Sequence, residues 1–204
     1  HAQMADIHVD SQAVMADLIK SGEVELVKKF IFAKARTDTR DMQGRTYLHL
    51  AVLAKNVDMV RLFASPALAA ADDNDQNTPL HLAVMTQDPE IIRAVLDASP
   101  PLNALNRIGL SPATLACHYK SNIPLIQLLH AGCDPNTTDP TGNTPLHIAC
   151  MKRSSAHVTA LTARRANLAA VNLVAQTPFA LVAGATDAEG VFIANLLRLC
   201  GSPQ

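Results

Sequence analysis

The stretch Thr78-Pro79-Leu80-His81-Leu82-Ala83 is the clearest of five related phrases in this chain of 204 residues. The other four begin at Thr46, Ser111, Thr144 and Thr177, so that successive phrases start 32 or 33 residues apart. A fixed period of this length is typical of a solenoid, in which each repeat is a small unit that buries its apolar face against its neighbours.

A turn pattern precedes every phrase. Five residues before each phrase stands an Asp or Asn, namely Asp41, Asp73, Asn106, Asp139 and Asn172. Two residues before each phrase stand Gly44, Gln76, Gly109, Gly142 and Ala175. Asp, Asn and Gly are the residues that tight turns favour, so we expect each repeat to open with a turn.

The phrase itself predicts the start of a helix. A Thr or Ser hydroxyl can cap a helix N-terminus, and Pro suits the first helical position, where its missing N–H is no loss. About ten residues further on, each repeat has a second apolar-periodic segment. These segments are Val57 to Phe63, Ile91 to Leu96, Leu125 to Leu129, Val158 to Leu161 and Phe192 to Leu199. Each unit is therefore predicted to be turn, helix, helix.

The repeated phrase resembles the ankyrin repeat, and the resemblance extends from about Ser11 to Leu199. It implies an all-α ankyrin-repeat solenoid of about five to six turn-helix-helix units with degenerate terminal caps. We expect residues 11–204 to form a single ankyrin-repeat domain, with the N-terminal cap around Ala13 to Lys34. Residues 1–10 lack repeat character and are interpreted as a tail or an expression scar.

Composition and charge limit the functional classes. Apolar residues make up 49% of the chain and aromatic residues 3%, which suits closely stacked helices packed through Ala and Leu. The formal net charge of -1 argues against nucleic acid as the main partner. Four basic residues form a local edge that we interpret as a solvated helix face: Lys152, Arg153, Arg164 and Arg165.

Neither a membrane span nor a secretory signal is evident in the sequence. We therefore expect an intracellular protein, in the cytoplasm or alternatively the nucleus, that is a monomer by itself.

The four cysteines predict a reducing compartment and no metal site. Cys117 and Cys150 occupy the same phase of adjacent repeats and are predicted to be small core residues. Cys133 follows Gly132 in a loop and is expected to be more exposed, while Cys200 lies near the end of the chain. Because the chain has neither a Cys-x-x-Cys pair nor a His pair at metal-site spacing, we expect no bound metal and no other cofactor.

Three histidines, His49, His81 and His147, are the fourth residues of their phrases. The ankyrin resemblance implies that they hydrogen-bond backbone groups that link neighbouring turns. The alternative is a Cys/His hydrolase built around His147 and Cys150. A nucleophile also needs an orienting third group and an oxyanion pocket, and neither is identifiable. We therefore expect that the protein is not an enzyme.

The ankyrin resemblance implies that the turn tips and the exposed side of the first helix line a concave face that binds a partner protein. The candidate binding residues at these positions are Met42, Arg45, Leu53, Asn74, Asn77, Met85, Arg107, Ile108, Leu110, His118, Tyr119, Asn143, Met151 and Lys152. Six of them would form a central apolar patch: Leu53, Met85, Ile108, Leu110, Tyr119 and Met151. The alternative is that Met and Leu at helical spacing belong to the core.

Two stretches resemble the IκB class of Rel/NF-κB inhibitors: residues 76–91, and residues 131–150 around Gly132-Cys133-Asp134-Pro135 and the phrase at Thr144. This resemblance implies a Rel-type transcription factor as the partner. Because no Asp-Ser-Gly motif precedes the repeats and no acidic Pro/Ser-rich tail follows them, we do not expect regulated degradation. The alternative function is a recruitment adaptor or pathogen effector whose ankyrin array captures a host protein.

Overall fold

A computed structural model describes residues 2–33 and 36–202, with side chains from residue 12 onward. Within these ranges the chain forms helices and turns and no strand, which confirms the all-α prediction. The chain divides into two compact units, His1–Pro101 and Leu102–Gln204, and each is described by itself.

The described residues of the first unit form seven helices: α1 (Ala2–Ser21), α2 (Val24–Phe32), α3 (Tyr47–Leu53), α4 (Val57–Phe63), α5 (Pro66–Ala69), α6 (Pro79–Thr86) and α7 (Pro89–Leu96). Helices α1, α3 and α6 pack side by side in one layer, and α2, α4 and α7 form the second layer behind them. The predicted turn-helix-helix order therefore holds. Helix α1 begins at Ala2, earlier than the predicted start near Ala13, and the predicted end of this cap, Lys34, lies outside the described residues.

Helix α5 is an element that the sequence pattern did not predict. The Ser65 side chain accepts a hydrogen bond from the Leu68 N–H at 3.2 Å, and Pro66 occupies the first helical position. The same capping interactions start α6, α8 and α10 in the repeats at Thr78, Ser111 and Thr144. The segment lacks an apolar periodicity because it is only 4 residues long.

In the second unit, residues 102–202 form five α-helices and one 3₁₀ helix: α8 (Pro112–Ala116), α9 (Ile123–His130), α10 (Pro145–Met151), α11 (Ser155–Ala163), the 3₁₀ helix Phe179–Leu181 and α12 (Ala188–Leu199). Helix α10 packs between α8 and the 3₁₀ helix, and α11 packs between α9 and α12. The fifth phrase thus gives one 3₁₀ turn in place of an α-helix. Its cap is reduced to the Thr177 hydroxyl, which accepts from the Ala180 N–H at 3.2 Å. The last repeat, from the fifth phrase to α12, is therefore a degenerate C-terminal cap, as predicted.

The phrase also supplies the core. Its third residue is fully buried in three repeats, at Leu48, Leu80 and Leu146, and its sixth residue is fully buried in four, at Ala51, Ala83, Ala116 and Ala149. Alanine leaves room for close contact between helices, and the leucines fill the space between layers. This alternation is why a chain with few aromatic residues can still bury a continuous core in each unit.

The cysteines follow the prediction at Cys117 and Cys150 and contradict it at Cys133. Cys117 and Cys150 are buried and Cys200 is exposed, but Cys133 is buried as well. Helix α9 ends in a Schellman motif, in which the Gly132 N–H bonds Leu129 O and the Cys133 N–H bonds Leu128 O, both at 3.1 Å. With Gly132 at φ +95, the chain turns back and the next side chain packs on the helix it has just left. The expected exposure of Cys133 was therefore wrong.

Candidate protein-binding surface

The turns that open the repeats are held by their first residue. Asp41 Oδ1 accepts the N–H groups of Gln43 and Arg45, both at 2.9 Å, and the Gly44 N–H donates to Asp41 O at 3.0 Å. Gly44 adopts φ +74, and the equivalent residues of the other four turns are left-handed too, including Gln76 and Ala175. The turns are therefore fixed by local bonds, which makes their tips a rigid support for side chains.

Consecutive turns within a unit are bonded to each other. In the first unit, the Asn74 N–H donates to Gln43 O at 2.9 Å, and Asn74 Nδ2 donates to Met42 O at 3.0 Å. In the second unit, the Leu173 N–H donates to Thr141 O at 3.1 Å. These bonds set the spacing at which neighbouring tips present their side chains.

The phrase histidines tie each helix start to the following turn. His49 Nδ1 accepts from the Thr46 N–H at 3.2 Å, and His49 Nε2 donates to Asn77 O at 2.9 Å. In the same way, His147 Nδ1 accepts from the Thr144 N–H at 3.1 Å, and His147 Nε2 donates to Gln176 O at 2.8 Å. The structural role expected for these two residues is confirmed, and each ring is needed in its neutral form with the proton on Nε2.

Burial lowers the pKa of His49, of His147 and of His157, a buried histidine in the first turn of α11, although carbonyl hydrogen bonds oppose this effect. We therefore expect the free energy of unfolding to fall as the pH drops below the ordinary histidine value of 6.5. In that range the unfolded chain takes up protons that the folded chain cannot accept, so stability present above the unfolded pKa is lost on acidification. Urea melts across a pH series measure this slope.

The control for this pH dependence is His147→Thr, because the third repeat already has Thr114 at the same position. That hydroxyl donates to Ser111 O at 2.9 Å, so the exchange retains a local bond while it removes one titrating group. The variant should be less stable at neutral pH and should lose less stability on acidification. If the free energy of unfolding depends on pH equally in wild type and variant, His147 is not one of the groups that cause this dependence.

The pair His147 and Cys150 is not arranged for nucleophilic chemistry. Burial raises the pKa of the Cys150 thiol to about 12, so the thiol is protonated at neutral pH. Both ring nitrogens of His147 are already hydrogen-bonded, to Thr144 and Gln176. Among the residues described, no cluster of three or more His, Cys, Asp or Glu side chains could hold a metal ion. Nor does any helix in that part of the chain combine the length and apolar character needed to cross a bilayer.

The apolar candidates at the ends of the first helices face solvent. Leu53 is 43% exposed, Met85 37% and Met151 45%, so these three residues are not core residues. The turn-tip residues Met42 and Ile108 are more open, at 93% and 66%. Leu110 and Tyr119 are half-buried, so these two residues are less accessible than the other four residues of the predicted patch.

The polar candidate residues differ in whether their side chains are bonded inside the turns or exposed to solvent. Asn143 Nδ2 donates to Thr141 Oγ1 at 2.9 Å and its Oδ1 accepts from Asn172 at 3.0 Å, so its amide is used inside the turns. Asn74 is likewise bonded to Met42 O, and the Asn77 carbonyl is bonded to His49. By contrast, the side chains of Arg107, His118 and Lys152 are exposed, while Arg45 is half-buried.

Cavities bring some candidates together within each unit. In the first unit, Met42, Arg45 and Tyr47 line a cavity of about 480 Å³ against Ala13 and Ala16 of α1. Arg45 and Leu53 line a second cavity in the same unit. In the second unit, His118, Tyr119 and Lys152 line a cavity of about 420 Å³. The candidates therefore form local groups within the units.

Sequence reasoning missed two exposed apolar side chains in the fifth turn. Leu173 is 77% exposed and Val174 is 72% exposed. Leu173 occupies the same turn position as Met42, and Val174 the same position as Ile108. The repeat phase that selected Met42 and Ile108 therefore also points to this pair.

The basic edge is a solvated helix face only in part. Arg153 and Arg165 follow helix ends at φ +56 and +57, where glycine is more usual. Arg153 Nη1 donates to Cys150 O at 2.8 Å and to Leu181 O at 3.2 Å, and Arg153 Nε pairs with Asp187 at 3.3 Å. This arginine thus joins α10 to the 3₁₀ helix and to the start of α12, which corrects the sequence interpretation.

Comparison with known proteins supports one fold family. A family model described as ankyrin repeats (3 copies) matches residues 13–106 and 113–188. Among curated proteins, the chain is 35% identical over 127 residues to NF-kappa-B inhibitor alpha of Sus scrofa, a match that covers 60% of this chain and 30% of that protein. It is 34% identical over 143 residues to the human B-cell lymphoma 3 protein, covering 65% of this chain and 31% of that protein. The matches thus span about a third of each relative.

Among solved structures, a similar one is the crystal structure of the ankyrin repeat domain of Bcl-3, a unique member of the IkappaB protein family. The TM-score is 0.82 at 25% sequence identity, over 93% of this chain and 86% of that chain. The similarity in backbone therefore extends over nearly all of the chain.

Proposed function

The chain belongs to the ankyrin-repeat family, and we propose that it is a non-enzymatic module that binds a partner protein through its turn tips and the exposed ends of its first helices. The observation that carries this proposal is the exposure of Leu53, Met85 and Met151 at equivalent repeat positions. A stable fold does not need large apolar side chains in water at that position, whereas protein interfaces commonly use them. Methionine is suited to such contacts because its side chain adapts to different surfaces.

The sharper form of the proposal is an IκB-like regulator that holds a Rel-type transcription factor. Its support is the identity to two proteins, NF-kappa-B inhibitor alpha and B-cell lymphoma 3 protein, together with the backbone similarity to the Bcl-3 ankyrin domain. The protein would then act in the cytoplasm or the nucleus, where it would meet its partner.

Affinity capture from cell extract, followed by mass spectrometry, tests this function. The full chain should retain a specific partner protein, and a Rel-type factor among the retained proteins would support the sharper form. Retention of an unrelated host protein would instead favour a recruitment adaptor or effector. If no protein is retained above an empty-resin control, the binding function itself is contradicted.

A further inference from the structure

The cavity in the second unit has an unusual lining. Its walls are two short stretches, His118-Tyr119-Lys120 after α8 and Lys152-Arg153-Ser154 after α10, which border about 420 Å³ of space that is open to solvent. Helix α8 packs on α10, so the loops that follow the two helices lie side by side. None of the described residues that line this cavity carries a carboxylate, although the chain as a whole carries one more acidic than basic residue.

Three of the lining side chains have unused hydrogen-bond donors. Neither ammonium group, that of Lys120 or that of Lys152, makes a hydrogen bond or ion pair with any residue that the structure describes, and the same holds for the Tyr119 hydroxyl. By contrast, Arg153 is held by Asp187 and two carbonyls, and Ser154 caps α11 through the His157 N–H.

The electrostatic surroundings are positive. The positive charge of Lys152 acts on His118 and, after burial, is the next cause that lowers the pKa of that imidazole. The opposing acidic group is Asp139, and the charge of Arg153 is paired with that of Asp187. Two lysine side chains therefore line one cavity, and an anion bound there would be attracted by both positive charges.

We propose that this cavity binds an anionic side chain of the partner protein, within an acidic segment that places a carboxylate or phosphoryl group between Lys120 and Lys152. The proposal rests on the protein-binding function proposed above. A carboxylate or phosphate accepts several hydrogen bonds and donates none when it is ionised, which matches a wall of donors. The Tyr119 hydroxyl supplies a third donor, and the exposed Met151 beside Lys152 offers an apolar contact for a neighbouring residue of the segment.

A peptide titration of the full chain tests the site without knowledge of the natural partner. The probe is a labelled glutamate-rich peptide, followed by fluorescence anisotropy, with a lysine-rich peptide of equal length and a single-stranded oligonucleotide as comparisons. The glutamate-rich peptide should bind, and its affinity should fall as salt is added. Lys120→Glu combined with Lys152→Glu should weaken that binding at least about tenfold, the order expected when two charge-assisted hydrogen bonds are lost.

The matched control is Lys29→Glu combined with Lys55→Glu, which changes the net charge equally at two exposed positions of the first unit. This control should bind the peptide nearly as the wild type does. A second pair, Lys120→Gln with Lys152→Gln, removes the charges without adding acidic groups and should weaken binding in the same direction. Thermal melts of all variants verify that they fold.

The site is contradicted if wild type and the Lys120/Lys152 variants bind the peptide equally, or if the Lys29/Lys55 control loses as much affinity as they do. Tighter binding of the oligonucleotide than of the peptide, lost in the same Lys120/Lys152 variants, would also overturn it in favour of nucleic acid. Competition by inorganic phosphate or by a phosphoserine peptide distinguishes a phosphoryl from a carboxylate ligand, and either result supports an anion site. If wild type and the Lys120/Lys152 variants capture the cellular partner equally well, the protein-binding function stands but this anion site does not contribute to it.

Discussion

Leu146→Ala should lower the free energy of unfolding by about 2 to 5 kcal/mol, which is the range measured for buried leucines replaced by alanine. Leu146 is 0% exposed in α10, the helix that packs between α8 and the 3₁₀ helix. Loss of its side chain removes burial and leaves a cavity that helices on two sides would have to move to fill. Urea melts followed by circular dichroism measure the loss.

The matched control for this substitution is Leu196→Ala in α12. Leu196 is only half-buried, and its helix packs on α11 near the end of the repeat array. In stacked repeats, stability is approximately a sum of contributions from each unit and its neighbouring contacts, so a terminal helix loses fewer contacts. If the two variants lose equal stability, the assignment of α12 to the C-terminal cap is wrong.

Local interactions explain why the sequence predicted so much of this fold. The caps at Thr46, Thr78, Ser111 and Thr144 all accept the N–H group three residues on, as the repeated phrase implies. The bounds of α4, Val57–Phe63, agree with the predicted segment to the residue. Each of these features depends on a few neighbouring residues, and five copies of the pattern in register strengthen every individual assignment.

The deviations occur where packing outweighs the local pattern. Cys133 follows a glycine in a loop, a position that predicts an exposed side chain, but the Schellman motif packs this side chain against α9. Arg153 looks like one of a row of solvated charges, yet the left-handed turn directs its guanidinium to Asp187 and the Leu181 carbonyl. The contacts of Arg153 involve Leu181 and Asp187, which are distant in the sequence, so neighbouring positions could not predict them. The burial of Cys133 follows from a local motif between Leu128 and Cys133 that the loop interpretation overlooked.

For the candidate binding surface, the sequence could predict which repeat positions face solvent but not which of their side chains are available for binding. The repeat phase identified which residues would face solvent, as Leu53, Met85 and Met151 demonstrate. It could not separate asparagines that are bonded inside the turns, such as Asn74 and Asn143, from side chains that are free to meet a partner. Hydrogen bonds between consecutive turns decide this, and they become visible only when the repeats are stacked.

Met85→Glu combined with Met151→Glu should weaken binding of a captured partner by at least about 2 kcal/mol, roughly thirtyfold in Kd. The two methionines occupy the same position of their repeats, one in each compact unit, and both side chains are exposed in the free chain. Glutamate at these positions would have to be desolvated where an apolar contact forms, and a buried charge without a partner is costly. Titration calorimetry with the purified partner measures the change.

Two controls make this result specific to the surface. Leu199→Glu places the same charge at another exposed apolar site, 87% exposed at the end of α12, and Lys29→Glu reverses a charge on α2. Both should bind the partner within a factor of a few of wild type, and the single methionine variants should show which unit carries the larger share of the contact. Because both methionines are exposed, the double variant should melt close to wild type. If it binds the partner as tightly as wild type does, the exposed helix ends are not the binding surface, and the turn tips around Met42, Ile108 and Leu173 become the positions to test.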